Sequence, residues 1–400
     1  RLRPSAVGAQ PVKVASMSAF PQVPTIVKAR NGADLLSVIP HQIGFAPSDS
    51  LVVVALAGPR GRIGVTARLD LADIRHPVHG PALAEHVAGV VADDNARGAV
   101  IVRYAGPNDP PVHRDAPVRA FAARIRERVD YIDVWDVGKR SYQRHDPETW
   151  HPRGEGGSLE RLRETIPMAA YTALGSAPAD SREAVAVLPS ATDEDMRRAR
   201  RAASRTWDQR TQAGGLGVRS WRERMLGVWR EAFGPLFEAF AEGRRVPRTD
   251  PRVLGAIAAA MGDGVVREAI LTVIAGEDDL ADRVVADGQD RASVMRRRTV
   301  LDPRGGPTVD EDRGEAAEIL LTLAAVHAIA RRKGHLFGGL AWLAWVRGDG
   351  VRAKIACERA AACPGDIPLA AIVSNMMQEA ISPRRPARAI RLMGETGNAA

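Results

Sequence analysis

The stretch His335 to Asp366, HLFGGLAWLAWVRGDGVRAKIACERAAACPGD, predicts two helices joined by a short turn. The first, Leu336 to Val346, is apolar nearly all round, which is typical of a helix buried between other elements. The turn Gly348-Asp349-Gly350 ends it, because glycine is disfavoured inside helices and favoured just past their ends. The second helix, Val351 to Ala362, stops before Pro364. This pair predicts a helical architecture for the surrounding sequence and indicates no chemistry.

Strand patterns fill the amino-terminal third of the chain instead. The β-branched run Leu51 to Leu56 predicts a strand buried on both faces, and Arg62 to Leu71 alternates as a half-buried strand does. The two strands should form a hairpin. Two more strands are predicted, each after a helix: helix 81–94 then strand 99–104, and helix 118–129 then strand 131–137. A short helix, 31–40, is predicted to end at Pro40.

The order ββαβαβ predicts a mixed sheet in which strands joined through helices run parallel with right-handed crossovers. The fold class is therefore predicted as α/β (α+β): a mixed-sheet domain over residues 17–158, then an all-α, repeat-like domain over 159–391. Residues 138–158, rich in Pro and Gly, are predicted to form a polar loop. Residues 1–16 are expected to be a disordered or non-native leader, and 392–400 a disordered tail. Further helices are predicted over 194–212, 221–241, 251–261, 265–274, 280–287, 310–332 and 367–380.

Composition indicates an ordinary globular protein. The 400 residues are 45% hydrophobic and 26% charged, which is enough for two or three domains. The two cysteines, Cys357 and Cys363, are poorly placed to bridge and favour a reducing compartment. No apolar run reaches the roughly 18 residues that a membrane span needs, and Arg1 to Val14 does not resemble a signal peptide. The sequence therefore predicts a cytoplasmic protein without membrane association.

The most uneven charge lies between Met196 and Arg230. Ten arginines stand there against two acidic residues, an excess that equals the formal net charge of +8 of the whole chain. The spacing places four arginines on one exposed helical face: Arg197, Arg198, Arg201 and Arg205. This face could bind a polyanion or an acidic protein partner, or it could be an ordinary solvated surface. Nucleic acid is possible but not favoured, because no named DNA-binding motif is present.

A second set of polar residues follows the predicted strands 99–104 and 131–137. Open α/β sheets bind ligands at the carboxyl ends of their strands, so these side chains could hold a small anionic ligand. An ordinary polar rim is the alternative and the more common case. The candidate ligand-binding residues are Arg103, Asp136, Lys139 and Tyr142, with Asp109, His113 and Arg140 nearby.

No catalytic residue and no metal site is predicted. The sequence holds no phosphate loop, dinucleotide fingerprint, nucleophile elbow or zinc-protease motif, so any cofactor is unknown. Two histidine pairs, His76 with His79 and His145 with His151, are interpreted as surface-loop residues, because neither has thiolates or a metal-ligand spacing.

Four stretches together resemble the actinobacterial domain-of-unknown-function family 4192. They are Leu36 to Val54, Arg68 to Leu71, Ser181 to Glu183 and above all Leu340 to Pro364. The resemblance implies the architecture and a cytosolic setting, and no activity. Members of this family often hold cysteines in the loop after the fourth strand, and this chain has none there. Residues 336–364 also resemble a tetratricopeptide-type unit, which needs neighbouring helices to bury its face.

The leading functional hypothesis is a non-catalytic protein-interaction or regulatory protein. Its partner would contact exposed residues along 347–359 and the arginine face of helix 194–212. The first alternative is a ligand-binding or enzymatic domain that uses the strand-end residues. The second is nucleic-acid binding through the arginine-rich helix.

Overall fold

The computed structural model describes residues 28–57, 62–94, 96–173, 175–287, 309–378 and 391–392. The predicted leader and nearly all of the predicted tail lie outside these residues. The described chain has a mostly amino-terminal sheet part followed by a helical part, as predicted, but the sheet also includes the short strand Arg391–Leu392, which comes after the helices. The strands are β1 (Lys28–Ala29), β2 (Ser50–Ala57), β3 (Arg62–Asp70), β4 (Ala96–Tyr104), β5 (Tyr131–Val137), β6 (Ser141–His145), β7 (Pro152–Ser158) and β8 (Arg391–Leu392).

One mixed sheet contains all of these strands, in the order β1-β8-β3-β2-β4-β5-β6-β7. The predicted hairpin β2–β3 is antiparallel, and β2 pairs on its other side with β4, also antiparallel. Strands β4 and β5 are parallel neighbours, with Arg103 opposite Asp136. Strands joined through helices therefore run parallel, which confirms the predicted mixed sheet. The two-residue strands β1 and β8 lie at one edge.

Helices cover both faces of this sheet. On the sheet side they are α1 (Gly32–Ile43), α2 (Leu71–Arg75), α3 (His79–Asp93), α4 (Ala116–Arg126), α5 (Glu160–Arg163), α6 (Ile166–Ala173) and α7 (Arg182–Val185). One face packs against α2, α3 and α4, and the core between them includes Leu51 and Ile101 of the sheet and Phe121 of α4. The other packs against α1 and includes Val52 and Trp135. Every residue of β2 is buried, as its β-branched run predicted.

Two local predictions for the sheet part are wrong. Residues 138–158 are not one loop, because β6 and β7 extend the sheet as an antiparallel hairpin beyond β5. Helix α1 does not end at Pro40: it contains that proline and ends at Gly44, whose φ of 84° is readily adopted by glycine. Helices α5 and α6 contact α1. The domain boundaries placed at residues 158 and 391 stay predictions.

The helical part begins with α8. Its helices are α8 (Asp193–Gln212), α9 (Gly215–Ala241), α10 (Pro251–Ala260), α11 (Gly264–Ile274), α12 (Asp278–Asp287), α13 (Glu311–His327), α14 (Ala330–Val346), α15 (Gly350–Ala361) and α16 (Pro368–Gln378). They share one core that includes Trp229, Leu320 and Trp342. No helix in the described ranges is long and apolar enough to cross a membrane.

The helix pair predicted within His335 to Asp366 corresponds to α14 and α15. These two helices pack on each other, and α13 and α16 are the neighbouring helices that the pair was predicted to need. The prediction of one long helix over 310–332 is wrong. Helix α13 ends at His327, and the extended residues Ala328 and Ile329 separate it from α14, which therefore starts six residues earlier than predicted. The likeness to a tetratricopeptide-type unit stays a prediction.

Candidate functional site

Arg103 and Asp136 meet at the ends of β4 and β5 because they are register partners on one face of the sheet. The Arg103 guanidinium donates from Nε to Asp136 Oδ1 at 2.8 Å and from Nη2 to Oδ2 at 2.9 Å. This two-point geometry is the strongest way for arginine to hold a carboxylate. The Arg103 side chain is only 2% exposed.

Residues from two other elements complete this strand-end network. Arg103 Nη1 donates to the Pro110 carbonyl at 2.8 Å and to Asp115 Oδ2 at 3.1 Å. Arg75, at the end of α2, donates to Asp115 at 2.5 Å and to Asp109 at 2.6 Å. Three carboxylates thus surround two guanidinium groups. The donors of Arg103 are used almost entirely within the protein, which leaves little for an anionic ligand.

The network also favours the charged forms of Asp109 and Arg103. Burial alone would raise the pKa of Asp109, but hydrogen bonds from Arg75 and from the Gly106 N–H lower it below its usual value. Desolvation opposes the charged form of Arg103, and the hydrogen bonds and charges of Asp136 and Asp115 outweigh it, so its pKa is raised. Every group whose pKa is shifted here is held in its charged form, and none is set for proton transfer at neutral pH.

The other two candidate ligand-binding residues lie elsewhere. Tyr142 is buried on the opposite face of the sheet, with its ring centroid 6.0 Å from that of Trp135. Lys139 is exposed in the turn between β5 and β6. The structure therefore brings Arg103, Asp136 and Asp109 together but does not bring Lys139 or Tyr142 to them.

Arg75 and Asp115 are the members of the network that the sequence did not indicate. Arg75 lies between the predicted strand Arg62 to Leu71 and the predicted helix 81–94, and Asp115 lies just before the predicted helix 118–129. The available signal was the pair of prolines at Pro110 and Pro111, which turns the chain so that Asp115 comes back towards the end of β4.

The prediction that the paired histidines are surface-loop residues is wrong for two of the four, because His79 begins α3 and His145 is buried in β6. The rings of His76 and His79 lie 4.2 Å apart, and His76 Nδ1 accepts hydrogen bonds from the Val78 and His79 N–H groups. His145 is buried and contacts the Trp150 carbonyl at 3.0 Å. Within the described ranges, no group of three or more His, Cys, Asp or Glu residues could hold a metal ion.

Helix α8 carries the arginine face. Thr192 caps its start by accepting from the Asp195 N–H, and Asp193, Glu194 and Asp195 lie in the first turn, where the helix dipole favours negative charge. The buried side of α8 is built from Ala199, Ala202 and Ala203, and it packs on α10. All four predicted arginines are exposed on the other side: Arg197, Arg198, Arg201 and Arg205.

A glycine brings α8 and α10 into close contact. A Cβ atom at Gly255 of α10 would lie 2.0 Å from the Ala199 carbonyl oxygen, so only glycine permits this approach. Small residues on both helices thus let α8 pack closely against α10. The exposed arginines lie on the other side of this packed helix.

Only part of the arginine excess is neutralised. Arg210 and Arg222 bind Asp263, Arg230 binds Asp282, and the exposed pairs Arg198–Glu194 and Arg219–Glu223 form within helices. Three exposed arginines on the predicted face form no ion pair within the described residues. We call them the arginine stripe: Arg197, Arg201 and Arg205.

Charges along residues 347–359 are mostly used inside the protein. Arg347 and Arg352 both bind Glu318 of α13, at 3.0 and 2.7 Å. Glu358 binds Arg182 at 2.8 Å, and Arg359 donates to the Ala186 carbonyl. Residues 182–188 therefore lie against the α14–α15 pair, and a cleft remains beside them, lined by Val185, Phe337 and Leu340 among others.

A comparison with models of known protein families finds a match. A family model described as "Domain of unknown function (DUF4192)" matches residues 33–338. The chain belongs to the DUF4192 family. Neither a curated protein nor a solved structure matches this DUF4192 chain. The match runs from α1 into α14, so it includes the whole of α8 and ends before Leu340 to Pro364, whose likeness to the family stays a prediction.

Proposed function

We propose that this DUF4192 protein is a non-catalytic, cytoplasmic interaction or regulatory protein that binds an acidic segment of a partner protein through the arginine stripe. The single observation that carries the proposal is the stripe itself, three exposed guanidinium groups without a carboxylate partner in the described chain. The unbridged cysteines Cys357 and Cys363 support a reducing compartment.

The spacing of the stripe suits a short acidic segment. Arg197, Arg201 and Arg205 are four residues apart, so their Cα atoms span about 12 Å along the helix axis at about 1.5 Å per residue. An extended peptide advances about 3.3 Å per residue, so a few acidic residues match this length. Exposed arginines are well suited to such contacts because the guanidinium group binds carboxylates at two points.

Charges at the two ends of α8 argue against a long nucleic acid. Glu194 lies before the stripe and Asp208 after it, and both are exposed. Duplex DNA carries a continuous line of phosphates, and specific binders neutralise about 6 to 10 of them. A stripe of three cations between acidic residues offers a shorter footprint than that. We therefore favour the acidic protein partner.

The proposal is tested by comparing three forms of the full chain as baits in a nuclease-treated native lysate. The stripe variant carries Arg197→Glu, Arg201→Glu and Arg205→Glu. The matched control carries Arg119→Glu, Arg140→Glu and Arg163→Glu, which changes three exposed arginines elsewhere and shifts the net charge equally. We expect one acidic protein to be retained by the wild type and the control and lost from the stripe variant. Recovery of the same proteins by all three baits would contradict the proposal.

A further inference from the structure

A buried cationic cluster lies at the start of α14, away from the arginine stripe. Arg332 is 6% exposed, and its guanidinium carbon lies 5.1 Å from the ring centroid of Trp207. Its Nε is enclosed without a hydrogen-bond partner, and the guanidinium forms no ion pair within the described ranges. An unpaired buried charge is strongly unfavourable, and the buried Arg332 guanidinium has no bonded counter-charge in the described ranges.

Two more basic groups face the same place. Arg267 of α11 donates from Nη1 to the Met261 carbonyl at 2.9 Å, and the same nitrogen lies 3.4 Å from His335 Nδ1. His335 follows Arg332 by three residues on α14, so the two side chains are neighbours on one helix surface. We call Arg267, Arg332 and His335 the cationic cluster.

Two nearby carboxylates, Glu268 and Asp263, act on Arg267, and Asp263 is bonded to other groups. Asp263 accepts from Arg210 Nε at 2.8 Å and from Arg222 Nε at 3.1 Å, and it also caps α11 through the Val265 and Val266 N–H groups. Asp208 is exposed at the end of α8, and its negative charge opposes the lowering of the Arg332 pKa by burial and by Arg331, but the two side chains form no ion pair. Within the described chain, no carboxylate is bonded to Arg332.

The start of α14 adds further positive potential. Ile329 precedes the helix, no side chain caps its first N–H groups, and no acidic residue lies in its first turn. The first turn instead holds Arg331, Arg332 and Lys333, although the positive end of the helix dipole favours anions there. Basic residues, a helix start without a side-chain cap and an unpaired guanidinium thus occur in one turn of α14.

We propose that the cationic cluster binds a phosphate group, as inorganic phosphate or a small phosphate monoester. A phosphate carries a charge of about −1.5 to −2 at neutral pH and offers three acceptor oxygens or more. Two guanidinium groups match that charge and a neutral imidazole beside them can hydrogen-bond to it, whereas a single carboxylate would leave one cation unpaired. Arg332 and Arg267 donate to the phosphate oxygens, and the stack on Trp207 fixes the plane of the Arg332 guanidinium.

The test measures inorganic phosphate binding to the full chain by calorimetry in phosphate-free buffer, with acetate as a carboxylate comparison. We expect binding to the wild type and no binding of acetate. Arg332→Met should weaken phosphate binding at least tenfold, and Arg119→Met, which removes an exposed charge outside both sites, should leave it unchanged. His335→Gln should weaken binding to a smaller degree, and it keeps the test informative if Arg332→Met does not fold.

Thermal unfolding separates binding from folding. Because Arg332→Met removes an unpaired buried charge, its melting temperature without phosphate should equal or exceed that of the wild type, and added phosphate should no longer raise it. Phosphate binding that survives both Arg332→Met and His335→Gln would overturn the proposal. So would a wild type that binds acetate as tightly as phosphate, or that binds no phosphate at millimolar concentration.

Discussion

Buried arginines occur here in two opposite environments. Arg103 is enclosed by Asp115, Asp136 and a backbone carbonyl, so its charge is matched within the fold. Arg332 is buried to a similar degree, and its guanidinium lies over the face of Trp207 without an ion pair in the described chain. Truncation of the Arg103 side chain should therefore cost much stability, whereas truncation of the Arg332 side chain should not. The difference lies in the partners of each guanidinium and not in its burial.

Arg103→Met is predicted to destabilise the protein by about 3 to 5 kcal/mol, because it leaves buried carboxylates without their counter-charge. The control is Arg97→Met, whose side chain is 64% exposed and pairs with an exposed Asp130, so its loss should cost less than about 1 kcal/mol. Urea unfolding measures both. Equal midpoints for the two variants would show that the strand-end network adds no stability.

His335 is predicted to make stability depend on pH. Burial, followed by the charges of Arg267 and Arg332, lowers the pKa of His335 below its ordinary value of 6.5. The unfolded chain therefore binds the proton more readily, so stability is full above pH 6.5 and falls as the pH drops through the lower folded-state value. His335→Gln should lose less stability than the wild type between pH 7 and 5 in phosphate-free buffer.

The control for that measurement is His86→Gln, since His86 is exposed on α3. Its stability curve should follow that of the wild type over the same range. If His335→Gln also follows the wild type, the imidazole at the cationic cluster is not the source of the pH dependence.

At the scale of single elements, local sequence signals predict α8 correctly but do not predict the β6–β7 hairpin. Helix α8 has a capping residue, Thr192, and a regular alternation of alanine and arginine, so its limits were predicted to within one residue. The segment 138–158 shows no such pattern, because only Tyr142, His145 and Trp150 are buried in it. Its pairing depends on β5, which is a tertiary effect.

The contact of α8 with α10 gives a prediction at this scale. Gly255→Ala should destabilise the protein by about 1 to 3 kcal/mol, because the added methyl would overlap the Ala199 carbonyl and force the helices apart. The matched control is Gly227→Ala in the interior of α9, where a Cβ atom meets nothing within 4 Å. That change should stabilise by about 0.5 to 1 kcal/mol. If chemical denaturation shows that Gly255→Ala is more stable than Gly227→Ala, the close packing of α8 on α10 is contradicted.

At the scale of the whole molecule, the sequence predicted the layers but not the places where distant segments meet. The strands of the mixed sheet and the helices of the helical part can be predicted because the hydrophobic periodicity of each segment is a local property. The strand-end network needs Arg75, Arg103 and Asp115, which lie on separate elements. The break between α13 and α14 also escaped prediction, because Ala328 and Ile329 include no glycine or proline.

The arginine stripe was visible in the sequence because it lies within one helix, whereas the cationic cluster was not. Arg267, Arg332 and Trp207 come from three helices and meet only after folding. A site made within one element can be inferred from spacing, and a site made between elements requires the tertiary structure.

The central claim is that the arginine stripe binds an acidic protein segment, and a titration of a fluorescent glutamate-rich peptide tests it most directly. The wild type and the Arg119, Arg140 and Arg163 charge-reversal control should bind the peptide alike. The stripe variant should bind at least tenfold more weakly, a difference of about 1.4 kcal/mol or more. Equal affinity for all three proteins, or tighter binding of a DNA duplex than of the peptide by the wild type, would contradict the claim.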